Sequence, residues 1–281
     1  MIEKQVSTQA YRRIGVRSWH LLKEFSDDKD GQNRVVMGSK TEVQINEVWD
    51  ATTIGCPHEL GTGVVHLWQR PLHATGAEVS ACYELLSIEE QERARRFRVE
   101  RPRNDFVLTR GTLRTLLAQY LGGTAQEVRF RYAGHGKPAL EGESRLSFNI
   151  SHTNGLALMA FVKQRAIGVD VENVGREVEA ERLAERFFSE RERQALRRLG
   201  GDELQAAFFR CWTRKEAYIK ATGDGLSLPL HQFDVSIAEG DRDALLATHP
   251  DKSEAARWTI CDIPMGPGYA AAVAVAESID C

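Results

Sequence analysis

Hydrophobic and polar residues along the chain predict two similar sets of strands and helices. The first set has a strand at 64–68, helices at 87–97 and 102–120, and strands at 128–132, 146–150 and 156–162. The second set has a strand at 166–172, helices at 179–187, after Ser189 and at 204–222, and strands at 233–237, 258–262 and 269–276. The sequence therefore predicts an α+β fold with two similar halves, residues 61–165 and 166–281.

Short motifs mark where the helices begin and end. Ser87 and Ser189 each stand three residues before a glutamate, which is the S-x-x-E pattern of a capping box. Glycines at 122–123, and at 223 and 225, are expected to end the two long helices. Residues 1–60 are weakly patterned, and 26–40 are polar and contain glycine, which predicts a weakly structured N-terminal extension with loop at 26–40.

Composition narrows the class of protein. The chain has 281 residues, of which 42% are hydrophobic and 27% charged, and its net charge is −3. Without a global basic field, a non-specific nucleic-acid binder is disfavoured. Five scattered cysteines with no C-x-x-C pair argue against a disulfide scaffold or a zinc site. No signal peptide or long apolar span is apparent, so we expect a cytoplasmic protein with no membrane partner.

The segment W-T-R-K-E-A-Y-I-K, residues 212–220, predicts a helix that carries a carboxylate and an ammonium on one face. Glu216 and Lys220 are four residues apart, and Phe208 and Trp212 extend the same stripe with apolar side chains. The pair could be a plain surface ion pair. However, the apolar end of the stripe would anchor in a core and hold the charged end rigidly, which favours a site.

A second pair of acids lies about forty residues upstream in G-V-D-V-E. Alternation along a strand would point Asp170 and Glu172 to the same side. The flanking residues are apolar or small, so the strand should be largely buried, and two carboxylates there need a cation. A solvated strand edge is the plain alternative. Together with Glu216, these acids could hold Mg²⁺ or Mn²⁺, which prefer oxygen ligands.

Three further residues suggest binding of phosphate. Ser151 and His152 stand in N-I-S-H-T-N-G, which is expected to be a tight connection between two apolar strands. Lys137 follows a glycine and precedes a proline, so its amino group would be offered at a fixed backbone angle, unless the turn is merely exposed. Residues 93–103 are locally basic, either as a solvated helix end or as an anion-binding patch. Acids for a metal and cations for phosphates are the parts of phosphoryl-transfer chemistry.

Five motifs occur in the order found in a known family. They are G-K-P with F-N-I-S-H, G-V-D-V-E, F-F-S-E-R-E, W-T-R-K-E-A-Y-I-K and G-D-G-L-S-L-P-L, within residues 64–275. Through these motifs the chain resembles the 4′-phosphopantetheinyl transferases of the larger, Sfp-type group. The resemblance implies a monomer of two pseudo-symmetric halves, each a small, mostly antiparallel sheet packed with helices. Coenzyme A would lie in the cleft between the halves, which is where the active site is expected.

The resemblance also implies a reaction and roles for individual residues. Phosphopantetheine would move from coenzyme A to a serine of an acyl or peptidyl carrier protein, releasing adenosine 3′,5′-bisphosphate. Asp170, Glu172 and Glu216 would hold Mg²⁺ on the pyrophosphate. Glu216 would also take the serine proton, directly or through water, and Lys220 would neutralise charge on the pyrophosphate or leaving group.

Other site residues carry over as ligands of coenzyme A. Ser151, His152 and Lys137 would bind phosphates, and Arg101 matches an arginine that binds coenzyme A in some members. Glu90 departs from the family pattern, because some members carry a lysine there, whereas this chain has its nearest basic residue, Arg93, one turn later. The contacts on the adenine side therefore cannot be carried over.

Two other functions fit the residues taken alone. One is a Mg²⁺-dependent phosphoesterase that uses water as its nucleophile. The other is a catalytically silent module that binds a carrier protein or coenzyme A. The carrier is not specified by the sequence, and fatty-acid, polyketide and nonribosomal peptide biosynthesis all use such carriers.

Overall fold

The computed structural model describes residues 33–37, 41–47, 60–132, 136–223, 225–241 and 244–277, with the first two segments described as backbone only. Its α-helices are α1 (Gly76–Glu84), α2 (Ile88–Arg95), α3 (Glu100–Leu121), α4 (Ala180–Phe187), α5 (Glu190–Leu196) and α6 (Gly201–Thr222). Its strands are β1 (Asn33–Met37), β2 (Thr41–Glu47), β3 (Val64–Pro71), β4 (Phe130–Tyr132), β5 (Pro138–Leu140), β6 (Leu146–Thr153), β7 (Leu156–Lys163), β8 (Ile167–Asn173), β9 (Phe233–Val235), β10 (Leu245–Thr248), β11 (Trp258–Asp262) and β12 (Tyr269–Ala276).

Each half is built on a small sheet. The first half has a sheet of β3, β7 and β6, which strands β1 and β2 of the N-terminal extension enlarge to five strands in the order β1-β2-β3-β7-β6; only the β2–β3 pair is parallel. The second half has an antiparallel sheet in the order β11-β12-β8. Pairs β4–β5 and β9–β10 form two short antiparallel ribbons. The predicted α+β class, with small sheets packed against helices, is confirmed.

Alternation along the strands separates three apolar cores. One core lies between the two sheets. It is formed by the odd-numbered side chains of β8 and β12, the even-numbered side chains of β7, and side chains of β3 and β11. The opposite face of the first sheet packs on α1, α2 and α3. The opposite face of the second sheet packs on α4, α5 and α6. The order of layers is therefore helices, sheet, sheet, helices, because β3, β7, β11 and β12 have apolar side chains on both faces.

A buried ion pair repeats in the two halves and shows how alike they are. In the first half, Glu90 of the capping box that begins α2 is buried and pairs with Arg114 of α3 at 2.5 Å and with Arg110 at 3.3 Å. The Arg114 guanidinium also donates to the carbonyls of Ala125 and Val128, at 2.7 and 3.0 Å. One buried cation thus ties a short capped helix, a long helix and the loop after it.

The second half uses the same arrangement with a lysine. Glu192 of the capping box that begins α5 pairs with Lys215 of α6 at 2.7 Å, and both side chains are fully buried. The Lys215 ammonium also donates to the carbonyls of Leu230 and Phe233, at 2.7 and 2.6 Å. Both capping boxes were predicted from the sequence and are confirmed. The same buried network, a capping-box glutamate paired with a cation of the long helix, therefore occurs in both halves.

The two halves are joined along one edge of β8 by side chains instead of a backbone ladder. Odd-numbered amides of β8 point away from β12 and would otherwise be unpaired edge donors. Side chains of β6 accept them: Asn149 Oδ1 from Val169 at 2.9 Å, Ser151 Oγ from Val171 at 3.4 Å, and Thr153 Oγ1 from Asn173 at 3.2 Å. This edge fixes the register of the first half against the second.

Several sequence-based predictions of secondary structure need correction. Residues 26–40 were predicted as loop, but β1 occupies Asn33–Met37, and β2 follows within the same extension. These strands form because they pair at the edge of the β3 sheet, a tertiary cause that a local pattern does not contain. Helix α1 and strands β5 and β10 were not predicted, although Thr75 and Glu78 form a third capping box. The turn that contains Lys137 was predicted at 134–138; residues 134 and 135 lie outside the described residues, and Pro138 begins β5.

Strand β6 runs further than predicted. Ser151 and His152 were expected in a tight connection, but they pair with Leu158 and Ala157 of β7. The turn is confined to Asn154 and Gly155. The longer strand follows from the β7 partner, which continues the ladder through residues that are locally polar. As a consequence, the two side chains are held by a rigid strand.

Candidate active site

Helix α6 brings one stripe of side chains from the core to the junction of the two halves. Phe208 is buried and stacks with Trp212 at 6.0 Å between ring centroids. Glu216 and Lys220 continue the stripe and are half-buried. Gly223, with φ of +82°, ends the helix in the left-handed conformation. The predicted stripe and helix end are confirmed.

Strand β8 faces α6 with its even-numbered residues. At Gly168 the helix backbone is so close that an added Cβ would lie 2.1 Å from the Ala217 oxygen and 2.4 Å from the Ala221 nitrogen. Asp170 and Glu172 follow Gly168 on the same face of the strand, two and four residues further along. The absence of a side chain at Gly168 therefore lets the helix approach until both walls of the site meet.

Asp170, Lys220 and Ser151 form a tight hydrogen-bonded group. The Lys220 ammonium donates to Asp170 Oδ1 at 2.6 Å and to Ser151 Oγ at 3.0 Å. The Ser151 hydroxyl also lies 2.8 Å from Asp170 Oδ1. Asp170 is only 4% exposed, which makes this a desolvated charge pair whose attraction is weakly screened. The group contains one residue each from β6, β8 and α6, so it forms only when the halves are joined.

Two further carboxylates line the same space. Burial raises the pKa of Glu216, and the charges of Asp170 and Glu172 raise that pKa further, against the lowering effect of Lys220. Burial likewise raises the pKa of Glu172, and Asp170 adds to the rise. The Trp212 indole donates to Glu172 and Arg176 pairs with it at 3.3 Å, both of which favour its charged form. The three acids thus repel one another in a site with one ammonium.

The residues suit a divalent cation, although no ready-made site is present. In the part of the chain that the structure describes, no group of three or more His, Cys, Asp or Glu side chains is positioned to hold a metal ion. Nevertheless, Asp170 Oδ2 is buried and makes no hydrogen bond to any described residue. Mutually repelling carboxylates with an unbonded, buried oxygen are a donor set that Mg²⁺ would stabilise.

Basic and polar groups gather where the turn after β6 meets α3. The Arg101 guanidinium donates to Asn154 Oδ1, and the Tyr269 hydroxyl donates to the Asn154 carbonyl at 3.1 Å. The His152 side chain is exposed, yet the protein around it removes part of the water from the ring, and this desolvation lowers its pKa. The charge of Asp105 raises that pKa, and the charge of Lys220 lowers it. Arg101 and His152, which were predicted separately, are therefore brought to one rim of the site, together with Ser151 just below.

Two residues at this rim were not found by sequence reasoning. Asp105 lies one turn along α3 from Arg101, and burial raises its pKa against the charges of Arg101, His152 and His73. His73 approaches Gly155 closely, since a Cβ there would lie 3.1 Å from His73 Nε2. Nothing in the local sequence around His73 signals this position, because only the β3–β7 pairing brings it to the turn.

Lys137 and Glu90 have contacts that the sequence did not suggest. The Lys137 ammonium donates to the carbonyls of Ile167, at 3.3 Å, and Lys220. Burial lowers the pKa of Lys137 to about 8, and the charge of Lys220 contributes. Glu90 is buried under the helices with Arg110 and Arg114, so its departure from the family pattern reflects a structural ion pair.

Comparisons with known proteins identify the family of this chain. A family model described as 4′-phosphopantetheinyl transferase superfamily matches residues 166–274, and one described as 4′-phosphopantetheinyl transferase, N-terminal, matches residues 70–164. The chain belongs to the 4′-phosphopantetheinyl transferase superfamily. Its reaction class is the transfer of phosphopantetheine from coenzyme A to carrier proteins, as predicted, and the predicted enzyme class is confirmed.

Relatives cover most of the chain. The 4′-phosphopantetheinyl transferase HetI of Nostoc sp. is 40% identical over 216 residues, which are 75% of this chain and 87% of that protein. The 4′-phosphopantetheinyl transferase ffp of Bacillus subtilis is 32% identical over 212 residues, 74% and 89% of the two chains. Sfp, also of Bacillus subtilis, is 31% identical over 192 residues, 68% and 83%. No helix in the described ranges is long and apolar enough to cross a membrane.

Proposed function

We propose that this enzyme transfers 4′-phosphopantetheine from coenzyme A to a serine of an acyl or peptidyl carrier protein, with Mg²⁺, and releases adenosine 3′,5′-bisphosphate. The observation that carries the proposal is the group formed by Asp170, Lys220 and Ser151 beside Glu216, at the junction of the two halves. It combines acids, a fixed ammonium and a neighbouring basic rim within one cleft. Those are the requirements of transfer from a pyrophosphate.

The proton of the attacking serine would pass to Glu216. The serine oxygen forms a bond to the phosphorus next to the pantetheine, and the bond from that phosphorus to the bisphosphate oxygen breaks. Before a metal binds, burial and two neighbouring carboxylates raise the pKa of Glu216, so its carboxylate is then a stronger base than that of an ordinary glutamate. A half-buried base of this kind suits a hydroxyl that is deprotonated as it attacks.

The remaining residues would bind and orient the pyrophosphate. A bound Mg²⁺ would be held by Asp170, Glu172 and Glu216 and would neutralise charge on the pyrophosphate oxygens. Lys220 would stabilise the charge that develops on the leaving group, a contribution of roughly 10²- to 10³-fold for each such donor. Ser151, His152 and Arg101 would contact phosphates at the rim. The phosphate contact predicted for Lys137 stays a prediction, and its two carbonyl contacts favour a different role.

We further propose that the enzyme acts as a monomer in the cytoplasm. Cys82, Cys211 and Cys261 are buried and form no disulfide among the described residues, which suits a reducing compartment. One chain contributes both walls of the cleft, so a partner copy is not needed to complete it. Light scattering during size-exclusion chromatography tests the oligomeric state.

Turnover of coenzyme A with and without an apo carrier protein distinguishes a transferase from a phosphoesterase. We expect adenosine 3′,5′-bisphosphate to appear only when the carrier is present, because the serine is the nucleophile. Chromatography of the nucleotides measures this directly. Equal release without a carrier would favour the hydrolase, and binding of coenzyme A without any release would favour the silent module.

Removal of divalent cations is expected to lower transfer by about 10²-fold or more, and added Mg²⁺ should restore it. The reason is that the pyrophosphate would otherwise meet three repelling carboxylates. The measurement is the initial rate of carrier modification after treatment with a chelator, followed by titration with Mg²⁺. Transfer that is indifferent to the chelator would contradict the metal site.

A further inference from the structure

Lys137 reaches from the first half into the second, where its ammonium donates two hydrogen bonds to backbone carbonyls. Its ammonium lies between two backbone carbonyls, those of Ile167 at the start of β8 and of Lys220 in the last turn of α6. These partners are 30 and 83 residues away in the sequence. The lysine therefore connects three segments that meet only in the folded protein.

The carbonyl of Lys220 is one that the helix itself leaves unsatisfied. The last four carbonyls of a helix have no partner one turn further on. At the end of α6, the amide of Gly223 donates a hydrogen bond to the carbonyl of Ile219, and the Lys137 ammonium donates one to the next carbonyl, that of Lys220. A cation at this position also opposes the negative end of the helix dipole. Lys137 thus acts as a C-terminal cap supplied by the other half.

The contact with Ile167 completes the edge of β8. Side chains of β6 accept the amides of residues 169, 171 and 173 along that edge, and Lys137 donates to the carbonyl of residue 167. The strand edge and the helix end that Lys137 joins are the two walls of the site. Asp170 stands three residues beyond Ile167, and the Lys220 side chain extends from the residue whose carbonyl is bound.

We propose that Lys137 is a positioning residue, whose ammonium fastens the end of α6 to the edge of β8 and thereby sets where Lys220 meets Asp170. The inference rests on the proposed transfer reaction. It assigns Lys137 an effect on turnover through the backbone of Lys220 instead of a direct contact with the phosphates of coenzyme A.

The two roles for Lys137 predict different kinetics. A misplaced Lys220 lowers the rate of the chemical step, and a displacement of about 1 Å can cost on the order of 10²-fold. For Lys137→Met at pH 7, where the wild-type ammonium is protonated, we expect kcat to fall about 10- to 100-fold with the KM for coenzyme A within about twofold. A lost phosphate contact would instead raise that KM while kcat is retained. Steady-state assays at saturating carrier separate the two.

Matched variants complete the test. Lys163→Met removes a lysine at the end of β7, at the far end of the β6–β7 hairpin from Ser151, and is expected to leave both kinetic constants unchanged. Lys137→Arg keeps a cation that can donate to two carbonyls, so we expect it to recover most of kcat. Failure of Lys137→Arg to exceed Lys137→Met would contradict the positioning role.

A measurement on the wild-type enzyme covers the case in which Lys137→Met does not fold. The ¹⁵N signal of the Lys137 ammonium, assigned by its absence from Lys137→Arg, should be observable without ligand and should not move when coenzyme A is added. A signal that appears or shifts strongly only with coenzyme A would overturn the inference. If the wild type modifies no carrier at all, the proposed function fails, whereas normal wild-type transfer with a change confined to KM refutes only the role of Lys137.

Discussion

Replacing Asp170 with asparagine is expected to lower kcat for carrier modification by about 10²- to 10³-fold while the fold is preserved. Asparagine has the same shape, so Ser151 and Lys220 keep a neighbouring oxygen. What is lost is the buried negative charge 2.6 Å from the Lys220 ammonium, together with the Oδ2 oxygen that no described residue satisfies. Without that charge, Lys220 loses its ion-pair partner, and a cation loses a ligand.

The measurement is steady-state transfer to a carrier protein, with circular dichroism to verify folding. Asp202→Asn is the matched control, because Asp202 is an exposed acid in the first turn of α6, far from the site. We expect its kcat to equal that of the wild type. A folded Asp170→Asn variant with near-normal kcat would show that the charge of Asp170 is not required for transfer.

Replacing Gly168 with alanine is expected to destabilise the protein by about 3 kcal/mol and to abolish transfer. An added Cβ would lie 2.1 Å from the Ala217 oxygen and 2.4 Å from the Ala221 nitrogen, both of which are backbone atoms of α6 that cannot rotate away. Either the helix moves off the strand or the strand distorts. Both outcomes separate Lys220 and Glu216 from Asp170.

Urea unfolding monitored by circular dichroism gives the free energy of unfolding, and the transfer assay gives the activity. Gly76→Ala is the control: nothing lies within 4 Å of a Cβ at Gly76, which is the first residue of α1. We expect it to change stability by less than about 1 kcal/mol, because alanine is the better helix former. Wild-type stability and activity in Gly168→Ala would show that the close approach of α6 to β8 is not required.

The sequence predicted those parts of the site that depend on local rules. Helical spacing placed Glu216 and Lys220 on one stripe, and strand alternation placed Asp170 and Glu172 on one face. Both predictions hold because α6 and β8 are regular elements anchored in a core. The capping boxes at Ser87 and Ser189 could also be predicted from the sequence, because their hydrogen bonds join residues only three positions apart.

Contacts that depend on the packing of distant segments could not be predicted. The neighbours of His73 depend on the pairing of β3 with β7. The carbonyls bound by Lys137 depend on how the two halves meet, and they lie 30 and 83 residues away in the sequence. Strand β1 likewise depends on pairing within the sheet. Glu90 was interpreted as a changed ligand contact, yet its partners lie one helix away in the core. Lys137 and Glu90 could be singled out by their residue type, but their partners could not be predicted.

The most direct test of the proposed function is the intact mass of apo carrier proteins incubated with coenzyme A, Mg²⁺ and this enzyme. A panel should include fatty-acid, polyketide and nonribosomal peptide carriers, each also treated with a folded Glu216→Ala variant. We predict that at least one carrier gains the mass of one phosphopantetheine with the wild-type enzyme and remains unmodified with the variant. A panel that stays unmodified with the wild type, or equal modification by the variant, would contradict the account.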